Sequence, residues 1–347
     1  MPLVSTLANA GVSGLRSSQA PVQWVTVHDS GGMFVSREAQ PKRFDQITSS
    51  FGSTAINCVA TDGAGTWVAV GGSGKIASST DGINWTQRTS QFSTTAISFV
   101  AYGGGTWVAV GGSGKVSTST DGSTWTAVTT ATSGWSTSYN IGHVAYGNGY
   151  WVGINSNGTL RSTTNPSGAW TSRTVPLGTG QHYADYHPAI GSGIWTLGTE
   201  TGTSSGSLGS STDAQTWTAR SAATSSTADT QFGATSNSTT IMAASKDASS
   251  YVLQKSTNGT SWTAVTEPNT ANYPAIALRG NGSDLVFVYW GADPILGWNF
   301  ASFYSTTDVS TFTAWESGFY DTAGVVIVST LTNFNYAAHR NGHQALR

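Results

Sequence analysis

Charge is scarce in this sequence. Of 347 residues, 15 are lysine or arginine and 17 are aspartate or glutamate, 9% in all, against about 25% in an ordinary soluble domain. The net charge of −2 gives no electrostatic case for nucleic acid or an anionic membrane as a partner. Cys58 is the only cysteine, which excludes an intrachain disulfide and a four-cysteine zinc site. No apolar run approaches the roughly 18 residues that cross a bilayer, so membrane insertion is not expected. The opening MPLVSTLANAGVSGLRSS has neither a basic stretch nor a continuous apolar one, and no signal peptide is expected from it. A hydroxyl-rich, lysine-poor surface without a secretory address fits a virion protein released by lysis, and equally a protein exported by another route.

What fills the chain instead is glycine, serine, threonine and aromatic residues. The 42 Gly could signal disorder, but 14 Trp, 12 Tyr and 12 Phe are too many for a disordered polar tract. Two segments are near-copies: WVAVGGSGKIASSTDGINWT from Trp67 and WVAVGGSGKVSTSTDGSTWT from Trp107. Their GGSGK could pass for a phosphate cradle. However, Ile76 and Val116 stand where a P-loop needs the magnesium-binding hydroxyl, and Ala69 stands where its first glycine belongs. The repeat itself is the better lead.

The segment that ends in tryptophan recurs at Trp85, Trp125, Trp170, Trp217, Trp262 and Phe312, at spacings of 40, 45, 47, 45 and 50 residues. A period of 40–50 residues in an all-β sequence points to propeller blades. Each unit divides into four short strands, shown in the second by AISFVAYG, TWVAVGG, KVSTST and TWTAVT, with Gly and TDG turns between them. Inner-strand patterns start near Ala55, Ala96, Ile141, Tyr186, Phe232, Pro274 and Gly324. The expected fold is therefore all-β, a seven-bladed β-propeller of four-stranded blades. Its ring is closed by N- and C-terminal strands in one shared blade, which avoids exposed sheet edges. Residues 1–13 would form an arm and 14–347 the propeller. The shared blade would take 14–27 as third and outer strands and 322–347 as the inner two, with the terminal HQALR leaving a three-plus-one arrangement open. Trp67, Trp107, Trp151 and Trp195 begin the second strand at one register and are expected in the core.

The turns Ser79–Trp85 and Ser119–Trp125 resemble the Asp-box (bacterial neuraminidase repeat) turn of sialidase-type propellers, one residue shorter than the usual pattern. Asp81, Asp121 and Asp213 keep the acid, as does Asp308, and Asn165 and Asn258 replace it elsewhere. Either residue type can bond the backbone of its own turn, so the resemblance implies structural turns, with Trp85, Trp125 and Trp217 opening the outer strands. It does not carry over the sialidase chemistry. Arg88, Arg173 and Arg220 follow outer-strand tryptophans, away from the axis, and Glu38, Glu200, Glu267 and Glu316 lie in different units rather than as a pair. No catalytic residue, metal or cofactor is assigned.

The units also resemble Gly/Ser/Thr-rich propellers of bacteriophage tail and other virion proteins. That likeness implies a non-catalytic virion component, present in many copies, that binds a host surface glycan or a neighbouring virion protein. A sialidase-like or other glycan-cleaving enzyme and a capsid decoration protein are the alternatives. Two kinds of loop residue are candidates for contact. The loop from His28 to Thr54 carries the densest charge, with Arg37, Lys42 and Arg43. Trp290 and Trp298, and Trp135 and Tyr139, sit in expanded loops outside the register of the core tryptophans, where aromatic residues suit sugar stacking or an interface. His182, Asp185 and His187 in HYADYH are a weaker constellation for a metal.

Overall fold

The computed structural model describes residues 21–38, 43–175, 177, 182–187, 192–199, 208–221, 230–246 and 251–265. Beyond these it describes the strand backbones at 275–278, 285–292, 299–306, 313–315, 318–320 and 334–339. Among these residues the strands group into six four-stranded sheets and one five-stranded sheet. Sheet 1 is Ile56–Thr61, Trp67–Gly71, Ile76–Ser79 and Thr86–Arg88, each antiparallel to the next. Sheet 2 repeats it as Ile97–Gly103, Thr106–Gly111, Val116–Ser119 and Thr126–Val128. Sheet 3 is Ile141–Gly147, Tyr150–Asn155, Leu160–Thr163 and Thr171–Arg173. Sheets 4, 5 and 6 follow with first strands His182–His187, Thr230–Ser236 and Ala275–Leu278. The first strands run side by side in chain order from one sheet to the next.

Sheet 7 holds strands from both ends of the chain. Phe334–His339 is its inner strand, followed by Trp24–His28, Met33–Ser36 and Arg43–Ile47, with Gly318–Tyr320 added in parallel on the outer edge. Trp24 lies opposite His339 and His28 opposite Phe334. The N-terminal side thus supplies three strands and the C-terminal side one inner strand, rather than two and two, and Trp24–His28 is the second strand rather than the outer one. Two of those strands lie inside the stretch expected to be a loop at 28–54. Gly31 at φ +74 makes the hairpin, and MFVS and RFDQI are short runs that a loop-rich reading passes over. The inner strand of sheet 4 begins at His182, not near Tyr186, so HYADYH is strand and not loop. The arm at 1–13 and the inner-strand start near Gly324 lie outside the described residues.

The strands are legible because their residues are buried on both faces. WVAV at Trp67 and at Trp107 is buried without a break, and Trp67, Trp107, Trp151 and Trp195 are each at most 2% exposed. Full burial of a large apolar side chain stabilises by roughly 1.5–3 kcal/mol. Tryptophan takes this place in the second strands of sheets 1 to 4, and the buried Ile241 takes it in sheet 5. Register shifts recur near the start of the inner strands, between Ile56 and Cys58, Ile97 and Phe99, and Ile141 and His143. Each is a bulge that bends the strand at the same place in its sheet. At the first of them the freed Asn57 side chain donates to Ile97 O of sheet 2 at 2.8 Å.

Neighbouring sheets are joined through the third-to-fourth turns. Gly122 has φ +69, and a Cβ there would lie 3.0 Å from Val68 Cγ2 and 3.2 Å from Thr66 Cγ2 of sheet 1. Ser123 Oγ meets Ser78 Oγ at 3.5 Å. Ser167 Oγ of sheet 3 meets Thr118 Oγ1 of sheet 2 at 3.1 Å, and Gln215 of sheet 4 donates to Tyr150 Oη of sheet 3 at 3.0 Å. The seam has a direct test. Gly105, at φ +78, has open space where a Cβ would go. Gly105→Ala should cost about 1–2 kcal/mol from the left-handed backbone alone. Gly122→Ala should cost about 1–3 kcal/mol more, because it also overpacks the seam. Equal losses in urea unfolding would mean that the turn does not press on its neighbour.

Candidate functional site

The turns hold their acids tightly. Asp81 Oδ1 accepts the backbone N–H groups of Ile83 at 2.8 Å and Asn84 at 2.7 Å, while Ser79 Oγ donates to it at 2.9 Å. Asp121 accepts from Ser123 and Thr124, both at 2.7 Å, and Asp213 from Gln215 and Thr216 at 2.8 and 2.7 Å. Burial alone would raise the Asp81 carboxyl, but the Asn84 and Ile83 amides overcome it and hold it at about 2. The Thr124 and Ser123 amides bring Asp121 down to about 2 as well. Asp213 is lowered by the Thr216 and Gln215 amides against burial. The tryptophan that follows closes the same turn. Trp85 Nε1 donates to Gly82 O at 3.1 Å and Trp125 Nε1 to Gly122 O at 3.3 Å. Trp125 and Trp217 are buried and Trp85 is half-buried.

The cations are engaged in the same manner. Arg88 Nε donates to Ser78 Oγ at 2.8 Å, Arg173 Nε to Ser162 Oγ at 2.8 Å and Arg220 Nε to Ser210 Oγ at 2.7 Å. Each ties an outer strand to the third strand of its own sheet. The lysines of the GGSGK hairpins reach carbonyls, Lys75 Nζ to Phe51 O at 2.7 Å and Lys115 Nζ to Phe92 O at 2.9 Å. Asp62 accepts three backbone N–H groups of its own turn, from Ala64, Gly65 and Thr66. The structure therefore gives these charges positioning work inside the repeat. No group of three metal-ligating side chains occurs among the described residues.

The expected contact residues fare differently from one another. Arg43 lies in a strand of sheet 7, its Nε 2.6 Å from Asp45 Oδ1 in an exposed ion pair. Arg37 follows the strand Met33–Ser36, and Lys42 lies outside the described residues. Trp290 belongs to the strand Leu285–Ala292, paired opposite Ala301, rather than to a loop, and Trp298 lies outside the described residues. Trp135 is not a surface aromatic. It is 3% exposed and packs against Trp170 with ring centroids 5.9 Å apart. Its register is the one held by Phe51 and Phe92 at 41- and 43-residue steps. All three are buried aromatics of the segment entering a sheet. Phe51 and Phe92 close on Gly71 and Gly111 of the next second strand, and Trp135 reaches deeper, to Gly153. That register was overlooked because Phe and Trp alternate in it.

Tyr139 does face solvent, at 38% exposure. It belongs to an exposed run, Ser136–Asn140, that is pinned to the hairpin of sheet 2. Gly114 N donates to Tyr139 O at 2.9 Å and Ser113 N to Asn140 Oδ1 at 3.3 Å. The segment owes its length to a single helical turn, Thr130–Ser133, with Thr129 as N-cap and Gly134 in the left-handed region as C-cap. Under it lies Arg161, whose Cζ is 5.4 Å from the Trp135 ring centroid and whose Nη1 donates to Trp170 O at 2.7 Å. Sequence reasoning missed Arg161. The clue available was that Ala77 and Ser117 stand at its place in the two near-identical units.

Residues 22–129 match the family model described as DUF6242 beta propeller domain. Among solved structures the chain is similar to YCF48 bound to a D1 peptide, with TM-score 0.57 and 13% identity over 79% of this chain and 91% of that one. It is similar to YCF48 from Cyanidioschyzon merolae, with TM-score 0.52 and 15% identity over 75% and 84%. It is also similar to a computationally designed protein, Ika8, with TM-score 0.57 and 10% identity over 96% and 98%. No curated protein matches the chain in sequence. At these identities the likeness is one of fold, and that fold is a β-propeller.

The acid turns predict a pH response. Carboxyls held at about 2, against about 3.9 in an unfolded chain, contribute stability that is complete above roughly pH 4 and lost as pH falls through 2. Asp121→Asn should fold, since Asn258 fills the same turn with bonds from Thr260 and Ser261 at 2.9 Å. It should show a smaller drop in urea midpoint between pH 5 and pH 2 than the parent. An unchanged drop would mean that the turn acid does not report on folding.

Proposed function

We propose that this chain is a seven-bladed propeller closed through sheet 7 and that it works as a non-catalytic binding platform. In this reading it is a bacteriophage virion component of the tail or tail fibre that engages a host surface or a neighbouring virion protein. The observation that carries the non-catalytic part is the engagement of the charged side chains. Asp62, Asp81, Asp121 and Asp213, with Arg88, Arg173 and Arg220, all bond turns or strands of their own sheet. Glycoside hydrolysis needs two carboxyls facing one cleft about 5–10 Å apart, and among the described residues the acids are spread over separate turns and strands. The virion assignment rests on the sequence resemblance, the hydroxyl-rich composition and the scarcity of charge. A propeller relative is seen bound to a peptide, which supports use of such a platform for binding.

Labelled protein incubated with intact bacterial cells and their extracted surface polysaccharide tests the reading. Saturable binding without released sugar is the expected result. Tyr139→Ala should weaken it roughly tenfold, the effect of losing one well-placed aromatic contact, without lowering thermal stability. Trp298→Ala tests the second candidate in the same assay. Release of sugar would overturn the non-catalytic reading in favour of a glycan-cleaving enzyme. Stable assembly onto phage particles with no cell binding would make the chain a decoration protein instead.

A further inference from the structure

Sheet 3 departs from its sister sheets at positions that meet in one place. The cross-strand pair that is Ala69–Ala77 in sheet 1 and Ala109–Ser117 in sheet 2 becomes Gly153–Arg161 in sheet 3. The same pair is Leu197–Gly209 in sheet 4 and Ala243–Gln254 in sheet 5. Arg161 is thus the one charged residue at this register across five sheets. Opposite it, a Cβ at Gly153 would lie 3.0 Å from Trp135 and 3.1 Å from Trp170, so the glycine accommodates the larger aromatics. The entering segment, 129–140, is longer than its counterpart at 89–96 and carries the extra helical turn. An arginine is not needed to pack this position, because alanine and serine do so in the neighbouring sheets.

The guanidinium is oriented but only partly satisfied. Its single hydrogen bond is from Nη1 to Trp170 O, and its plane is backed by the Trp135 ring. Nε is buried with no acceptor, and so is Trp135 Nε1 beside it. No carboxylate among the described residues is paired with Arg161. With Nη1 taken and Nε buried, the donor that the half-buried Arg161 has left for a carboxylate is Nη2. Gly134, at φ +77, sits directly over Nη1 and leads into the exposed run Ser136–Asn140. That run offers hydroxyls, an amide and the Tyr139 ring, the set of groups that suits a sugar better than an apolar peptide.

We infer that Arg161, seated on Trp135, receives through Nη2 the carboxylate of an acidic sugar that lies over Ser136–Asn140. This deepens the proposed binding role and rests on it.

Isothermal titration of the full chain with oligosaccharides of galacturonate, glucuronate and N-acetylneuraminate, each as free acid and as methyl ester, decides it. At least one acid should bind, with its ester at least tenfold weaker, a contrast that a purely structural arginine would not produce. Arg161→Gln should abolish the acid preference. Arg161→Lys, which keeps the charge but lacks the planar guanidinium that Trp135 and Trp170 O orient, should lose most of it. Binding to none of the acids, equal binding of acid and ester, or an acid preference that survives Arg161→Gln in a folded variant would each overturn the inference. Should Arg161→Gln fail to fold, the acid-against-ester contrast in the parent decides alone. Whole-cell binding that persists while all acids fail would sink this site and leave the platform reading standing.

Discussion

The structure depends on the contact between the third-to-fourth turn of one sheet and the second strand of the sheet before it. A four-stranded sheet of this size cannot bury both faces by itself, and its WVAV-type strands are apolar on both. The turn solves this locally. A left-handed glycine lets the backbone approach the neighbouring strand, a serine and an acid or amide bond the backbone of the turn, and tryptophan closes it from above. Gly122 against Val68, and Gly259 against Ile194, show the same close approach three sheets apart in the repeat. Because each sheet supplies the turn for one seam and the strand for the next, the unit is stable only in series. That is the general logic of repeat architectures.

This economy explains the scarcity of charge. Most acids and bases in the described residues shape the repeat rather than meet solvent ions, and the polar surface is made of hydroxyls instead. The acid turns therefore behave as backbone elements that happen to titrate. Asparagine serves equally at Asn258, where it makes the same two backbone bonds. Against such a background an arginine with an unmatched donor stands out, since the repeat elsewhere leaves few charges without a partner.

Much of this was readable from the sequence. The forty-residue offset between Trp67 and Trp107, the tryptophan-ended turns and the inner-strand starts at Ala55, Ala96 and Ile141 agree with the strands to within a residue. Those signals are strong because each depends on local chemistry repeated in several copies. What escaped was whatever departs from the copies, and which strands of the two ends meet in sheet 7. Sheet 7 pairs residues more than 300 positions apart, and its strands at Met33–Ser36 and Arg43–Ile47 are short and lie between turn-rich segments. Trp135 looked like a displaced surface aromatic because its register is shared with phenylalanines, and only the packing against Gly153 and Trp170 identifies it as core. Arg161 carried no motif at all. Its distinction is visible only when the cross-strand partners of five sheets are compared.

The pairing of Trp24 with His339 sets a direction for the whole molecule. Trp24 starts one strand and His339 ends its antiparallel neighbour, so these two strand ends lie on the same side of sheet 7. That side carries the acid turns, whereas the GGSGK hairpins and the Tyr139 segment lie at the other ends of the strands. The two described ends and the acid turns thus share one rim, and the Tyr139 segment lies on the opposite one.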